Sequence, residues 1–232
     1  MSTLNGGPNT ITNGLILYLD AANTKSYPGS GTVWSDLTKN NNSGSLTNGP
    51  TFNSANGGSI VFDGTNDYAP VGGVFTGLGT SNRTFDVWFQ ILSLSPSGNR
   101  RVLSFTKDDT SVDEPALTIN YTTTNTNLTV GMGATPYDAY IVCPAFSLST
   151  WINIIASITG NTLTVYQNGT LINTLTNTGA IGVNQIARLA SYNAFYTQYG
   201  NVKIASLKVY NRALTSTEIL QNYNATRTRF GL

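Results

Sequence analysis

The stretch STWINIIASITGNTLTVYQNGTLINTL, Ser149 to Leu175, constrains the fold of this chain more than any other. Apolar residues alternate across it with Asn, Thr and Ser, the period-2 pattern of half-buried strands. Gly160-Asn161 and Asn168-Gly169 cut it into three pieces. Both residue types enter the left-handed backbone region at low cost, so each pair suits a two-residue hairpin turn, and Asn168-Gly169 suits type I′. The reading is a run of antiparallel strands.

Other segments continue the series. GLILYLDAAN from Gly14 reads as a buried strand, expected beside the last strand of the chain. Ser59 to Phe62 and Tyr68 to Val71 read as strands flanking an Asp63-Gly64 turn. In TFDVWFQILSL, Phe85, Val87 and Phe89 alternate with Asp86, Trp88 and Gln90. Both sets are mostly bulky, which predicts a central strand covered on both faces. RRVLSFT, PALTINY and NLTVGMG follow at the spacing of a sandwich, and NVKIASLKVY closes it. Lys25 to Gly58 is rich in turn residues and is expected to be loop, anchored by Trp34 and Phe52. Thr215-Ser216-Thr217-Glu218 is a capping box ahead of Ile219, Leu220 and Tyr223, so one short helix should pack on the sandwich. The expected organisation is an N-terminal arm, 1–13, and one all-β sandwich domain, 14–232, of two antiparallel sheets with a short C-terminal helix.

Charged residues form 10% of the 232, against roughly 25% in typical domains, and Asn, Thr, Ser and Gly fill the gap. The net charge is +1 and no basic block exceeds Arg100-Arg101, so no nucleic-acid partner is expected. No apolar run approaches the roughly 18 residues of a membrane span. The opening MSTLNGGPNTITNG has neither a basic nor an apolar leader region, so neither membrane insertion nor export is expected.

The chemistry of catalysis is sparse. There is no histidine, which removes Ser-His-Asp and Cys-His arrangements. Cys143 stands alone with no partner base. A glycosidase needs two carboxylates flanking the bond. The two glutamates are Glu218, engaged in the capping box, and Glu114, ahead of Pro115 in a loop. Asp108, Asp109, Asp113 and Glu114 lack metal-loop spacing and read as a solvated loop. No enzyme is expected. For binding, SYNAFYTQYG from Ser191 to Gly200 places rings beside amides. Tyr192, Asn193, Phe195, Tyr196 and Gln198 are the candidate carbohydrate-binding residues, with Tyr199 and one other ring as candidates to turn inward. Tyr137, Asp138 and Tyr140 form a second, weaker cluster.

FDG…DY from Phe62, W…YQNG from Trp151 and VYNRAL…EI from Val209 stand in the order and spacing of laminin-G-like domains, and the chain resembles that family from about Leu15 onward. The resemblance implies a concanavalin A-like jelly roll in which Phe62, Tyr68, Trp151, Tyr166 and Tyr210 are core anchors. The Asn/Thr-rich style resembles structural proteins of tailed bacteriophages, cyanophages especially. It implies a non-enzymatic virion component, of capsid-decoration or fibre type, present in several copies against other capsid or tail proteins. A carbohydrate-binding module for attachment to host-surface glycans is the alternative, and a bacterial adhesion module a third. Family members often hold a structural calcium, and Asp20 and Asp63 match acidic positions that could contribute. Ala205 stands where the family often has a carboxylate, so no metal or cofactor is expected.

Overall fold

The structure is a computed structural model that describes residues 8–75, 82–94, 98–106, 116–122, 126–133, 139–178, 185–192 and 198–232. After β1 (Leu15–Asp20) come three short pieces, β2 (Val33–Trp34), β3 (Gly44–Ser45) and β4 (Thr51–Asn53), within the turn-rich segment. Then follow β5 (Ser59–Asp63), β6 (Ala69–Phe75), β7 (Arg83–Ile91), β8 (Arg100–Thr106) and β9 (Leu117–Tyr121). The series continues with β10 (Asn127–Met132), β11 (Ala139–Ala145), β12 (Ile152–Thr159), β13 (Thr162–Gln167) and β14 (Thr170–Thr176). β15 (Gln185–Leu189) and β16 (Asn201–Tyr210) lead to helix α1 (Ser216–Thr226) and a final 3-10 turn.

The strands form two eight-stranded antiparallel sheets. One runs β14-β13-β12-β7-β16-β5-β4 with β1 joined to β16, and the other β11-β10-β9-β8-β15-β6-β3-β2. The expected hairpins are β12-β13 and β13-β14. In the second, Asn168 and Gly169 take φ of 49° and 77°, both left-handed as a type I′ turn requires. Gly169 is also a close approach, since a Cβ there would meet the Tyr223 ring at 2.6 Å. β1 does lie beside the last strand: β16 gives its first residues to β5 and its later ones to β1 along the same edge.

β7 is buried at every position, and its alternation explains why. Phe85, Val87, Phe89 and Ile91 face the space between the sheets with Leu103, Phe105, Ile119 and Val130. Phe85 and Phe105 meet ring to ring at 4.5 Å. The opposite residues, Asp86 and Trp88, lie under the C-terminal segment. Trp88 stacks on Phe230 at 4.2 Å and on Tyr223 at 5.8 Å, and its Nε1 donates to Thr226 Oγ1 at 2.9 Å. Of the expected anchors, Phe62 is in the core between the sheets, whereas Trp151 and Tyr210 are buried in the clusters under α1. Tyr68 and Tyr166 are half-buried. Trp34 is buried and Phe52 packs at the margin of the core.

The predicted capping box forms. Thr215 Oγ1 accepts from Glu218 N, and Glu218 Oε2 accepts from Thr215 N at 2.9 Å. Arg212 adds a two-pronged pair to the same carboxylate at 2.8 and 2.6 Å. Residues 9–13 of the arm lie along this helix, with Gln221 donating to Asn9 O and Ile11 N donating to Asn222 Oδ1.

Candidate functional site

Two regions hold polar groups beyond what the sandwich needs for itself. The first is the outer face of the second sheet. Because Leu117, Ile119 and Tyr121 of β9 point into the core, Thr118 and Asn120 between them point out. The register sets Asn120 beside Thr129 and Arg101, and Thr118 beside Ser104, which neighbours Arg188. Ser104 Oγ donates to the carbonyls of Ser191 and Tyr192, fastening the start of the predicted recognition loop onto this face. The Arg101 guanidinium lies 4.2 Å over the Tyr192 ring, and Arg188 lies 5.1 Å over Tyr68. Tyr68 in turn meets Tyr199 at 6.1 Å. Asn120 is only 1% exposed, yet neither its Oδ1 nor its Nδ2 has a hydrogen-bond partner among the described residues. Ser191 Oγ and Gln198 Oε1 are buried and, among the described residues, unpaired too.

The second region is a cleft of about 170 Å³ at one end of the sandwich. Asp63 and Gly64 close β5 there, and Asn201 opens β16 as the register partner of Asp63. Gly64 has φ 77°, and a Cβ on it would come within 2.8 Å of the Asn201 Cβ, so this wall of the cleft requires glycine twice over. Asn201 donates from Nδ2 to Ser93 Oγ at 2.8 Å and from its backbone N to the Tyr121 hydroxyl at 2.8 Å. Arg100, which opens β8 of the other sheet, and Tyr199, just ahead of β16, complete the lining. The Asp63 carboxylate accepts from Thr65 N at 2.7 Å, and that amide bond holds it below the usual carboxylate range. Arg100 has no hydrogen bond or ion pair among the described residues, and its Nε is buried.

Of the residues singled out in the sequence, Tyr192 is 5% exposed. It is therefore a buried ring under Arg101 and not an exposed platform. Gln198 is half-buried, and its carbonyl accepts from Arg101 N. Asn193, Phe195 and Tyr196 lie outside the described residues, as do Asp108, Asp109, Asp113, Glu114, Tyr137 and Asp138. Tyr199 stands at the cleft, half-buried, and Tyr140 is exposed on β11. Arg100, Ser93 and Asn201 were not singled out for binding, because only the meeting of two sheet ends makes them neighbours.

The oxygens around Asp20 do not fit the calcium that the fold family suggests. Asp20 Oδ1 accepts from Arg229 Nη1 at 2.7 Å, and the same guanidinium donates to Asn56 O and Gly58 O, each at 2.6 Å. A covalently tethered cation already collects the oxygens a hard metal would need. Glu218 is tied to Arg212 and the helix start, and Cys143 is buried, which pushes its thiol up to about 12.

The family model described as the concanavalin A-like lectin/glucanases superfamily, laminin G type, matches residues 63–220. No curated protein matches the chain by sequence. Among solved structures, a Trypanosoma rangeli sialidase bound to 2,3-difluorosialic acid is similar at TM-score 0.73 and 17% identity, over 96% of this chain and 35% of the other. The binding domain of botulinum neurotoxin serotype D is similar at TM-score 0.67 and 11% identity, over 90% and 51%. The receptor binding domain of botulinum neurotoxin type G is similar at TM-score 0.63 and 14% identity, over 91% and 51%. The chain thus spans about a third of the sialidases and half of the neurotoxin domains.

The sialidase likeness corrects the expectation that the chain is no enzyme. The same fold stands inside enzyme chains, so the missing histidine and the two committed or loop-bound glutamates do not remove the class; fold and activity are separate properties. The two sheets stacked face to face, the helix behind one of them and the family match over about two thirds of the sequence agree on ancestry: the chain belongs to the laminin G branch of the concanavalin A-like lectin/glucanases superfamily.

Proposed function

We propose that this domain recognises carbohydrate and that its glycan seat is the cleft at the end of the sandwich. The carrying observation is the cleft's make-up: the Tyr199 ring beside the Asn201 amide, the Ser93 hydroxyl, and a carboxylate and a guanidinium that do not pair with each other. A sugar presents an apolar C–H face, which rests on an aromatic ring, and a rim of hydroxyls, which amide and carboxylate groups bind. Tyr199 is backed by Tyr68, over which the buried Arg188 lies. Support at the level of fold comes from the neurotoxin type G receptor binding domain. A glycan array probed with the intact chain should give hits. Tyr199→Ala should weaken them at least about tenfold, roughly 1.4 kcal/mol, while Tyr140→Ala on exposed β11 leaves them unchanged. Equal binding by all three proteins would remove the cleft from the proposal.

A second reading concerns setting. The likeness of the GLILYLDAAN and VYNRAL segments to phage structural proteins supports a place in a virion as a capsid-decoration or fibre-type component in several copies. Peptide mass mapping of purified particles tests it, and absence of the chain from the particle would discard it.

A further inference from the structure

We infer that the ligand of the end cleft is an acidic sugar, seated by its carboxylate on Arg100; the inference rests on the glycan reading above and adds the class of sugar. Arg100 is the residue that makes the difference. Its register partner is Tyr121, a core residue, so the strand alternation turns Arg100 toward the inside of the sandwich end, away from Arg101 and the outer face. The side chain is half-buried, its Nε has no acceptor, and no ion pair neutralises it among the described residues. A guanidinium set into a cleft without an acceptor is a vacant bidentate site, and its planar fork matches a carboxylate.

The rest of the cleft fits the remainder of such a ligand. Asp63 is kept ionised by the amides of Thr65 and Asn66 on its Oδ1. Its carboxylate is exposed at the mouth of the cleft and can accept further from sugar hydroxyls. Ser93 Oγ and the Asn201 side chain, already bonded to each other, offer their remaining donor and acceptor positions. Tyr199 is steadied from behind by Tyr68 and supplies the stacking face. The volume of about 170 Å³ equals about six waters at roughly 30 Å³ each, room for a single pyranose ring. A neutral sugar would leave Arg100 as it is. The fixed negative charge of Asp63 limits the ligand to one anionic group, directed at Arg100.

The test uses the intact chain against three sets of glycans of matched length: ending in a uronic or sialic-type acid, sulfated, and neutral. Binding is expected for the carboxylated set, at least tenfold weaker for the methyl esters of the same sugars, and weaker as salt rises. Arg100→Gln should lose the preference for acid over ester while keeping its melting temperature. The ester comparison needs no variant, so it stands even where that variant folds poorly. Preference for neutral or sulfated sugars, or equal affinity for acid and ester, would overturn the acidic-sugar inference and leave the glycan reading in place. No binding to any of the three sets would overturn both.

Discussion

The two sheets treat their outer faces in opposite ways. Under α1, the first sheet buries a charge pair, Asp86 and Lys208, at 3.2 Å with side chains 1% and 0% exposed. Around it Asn153 Nδ2 donates to Asp86 Oδ1 at 2.8 Å, Asn222 Nδ2 donates to the Tyr210 hydroxyl at 2.9 Å, and the Lys208 ammonium sits 5.3 Å over the Tyr18 ring. In this network Asn153 Oδ1 is the one unpaired buried atom among the described residues. On the second sheet and at the adjoining cleft, Asn120 Oδ1 and Nδ2, Ser191 Oγ, Gln198 Oε1 and Arg100 Nε are all unpaired among the described residues. Each buried polar atom without a partner costs about 1–3 kcal/mol. One face is therefore closed by the chain's own C-terminus, whereas the buried polar atoms named on the other have no partner among the described residues.

The charge pair offers the largest break. Lys208→Ala leaves the Asp86 carboxylate buried without its cation, and loss of one partner of a buried pair costs about 3–5 kcal/mol. Denaturant unfolding should show a midpoint shift of that size, and Asp86→Leu combined with Lys208→Met should recover most of it. A single-mutant cost under about 1 kcal/mol would show that water reaches the pair and that this face is not closed. Arg229→Met comes next. It removes the cation that joins Asp20, Asn56 and Gly58 to the C-terminal turn. With the pair 15–18% exposed, charged hydrogen bonds of this kind carry about 2 kcal/mol together. Thermal unfolding checks it; an unchanged melting point would mean that the final turn is held by Phe230 alone.

Much of the first face was legible in the sequence, because its signals are local. The double-sided alternation of β7, the Asn168-Gly169 turn and the capping box at Thr215 each need only a few adjacent residues, and each has the geometry its spacing predicts. Which ring goes to which layer was not legible. The family resemblance makes Trp151 and Tyr210 core anchors without saying of which layer, and α1 makes a second apolar layer that receives them. The cleft was hidden for a different reason. Arg100 and Arg101 read as one small basic block, but strand alternation and the bulge between Arg101 and Leu103 aim them at different places. Tyr192 is buried by Ser104 and Arg101, about ninety positions away in sequence.

Acid sharpens the comparison at the edge of the closed face. Arg212 first, and then the Thr215 amide, hold Glu218 down to about 2 from an ordinary 4.5. As pH falls, the unfolded chain takes up this proton before the folded one. The stabilisation is complete above about 4.5 and is lost on the way down to about 2. With the carboxylate a quarter exposed, solvent screening reduces it to about 1 kcal/mol. Glu218→Gln should flatten the stability curve across that window and leave its neutral plateau lower. An unchanged acid limb would place the acid sensitivity in other carboxylates.

The smallest expected effect reverses the sign and is the sharpest contrast between the faces. Asn120→Val replaces a buried side chain that makes no hydrogen bond with a β-branched residue suited to a central strand. Removing unmatched donors and acceptors should leave stability unchanged or raise it by up to about 1 kcal/mol. The same exchange at Asn153 removes the donor to Asp86 Oδ1 and to the Val87 carbonyl. It should cost about 2 kcal/mol, because the acceptors left behind include a buried charge. Measured side by side in urea, the two asparagine exchanges should move the midpoint in opposite directions or leave only Asn120→Val near zero. A comparable loss at both positions would mean that the polar groups of the second sheet serve the fold as the first sheet's do.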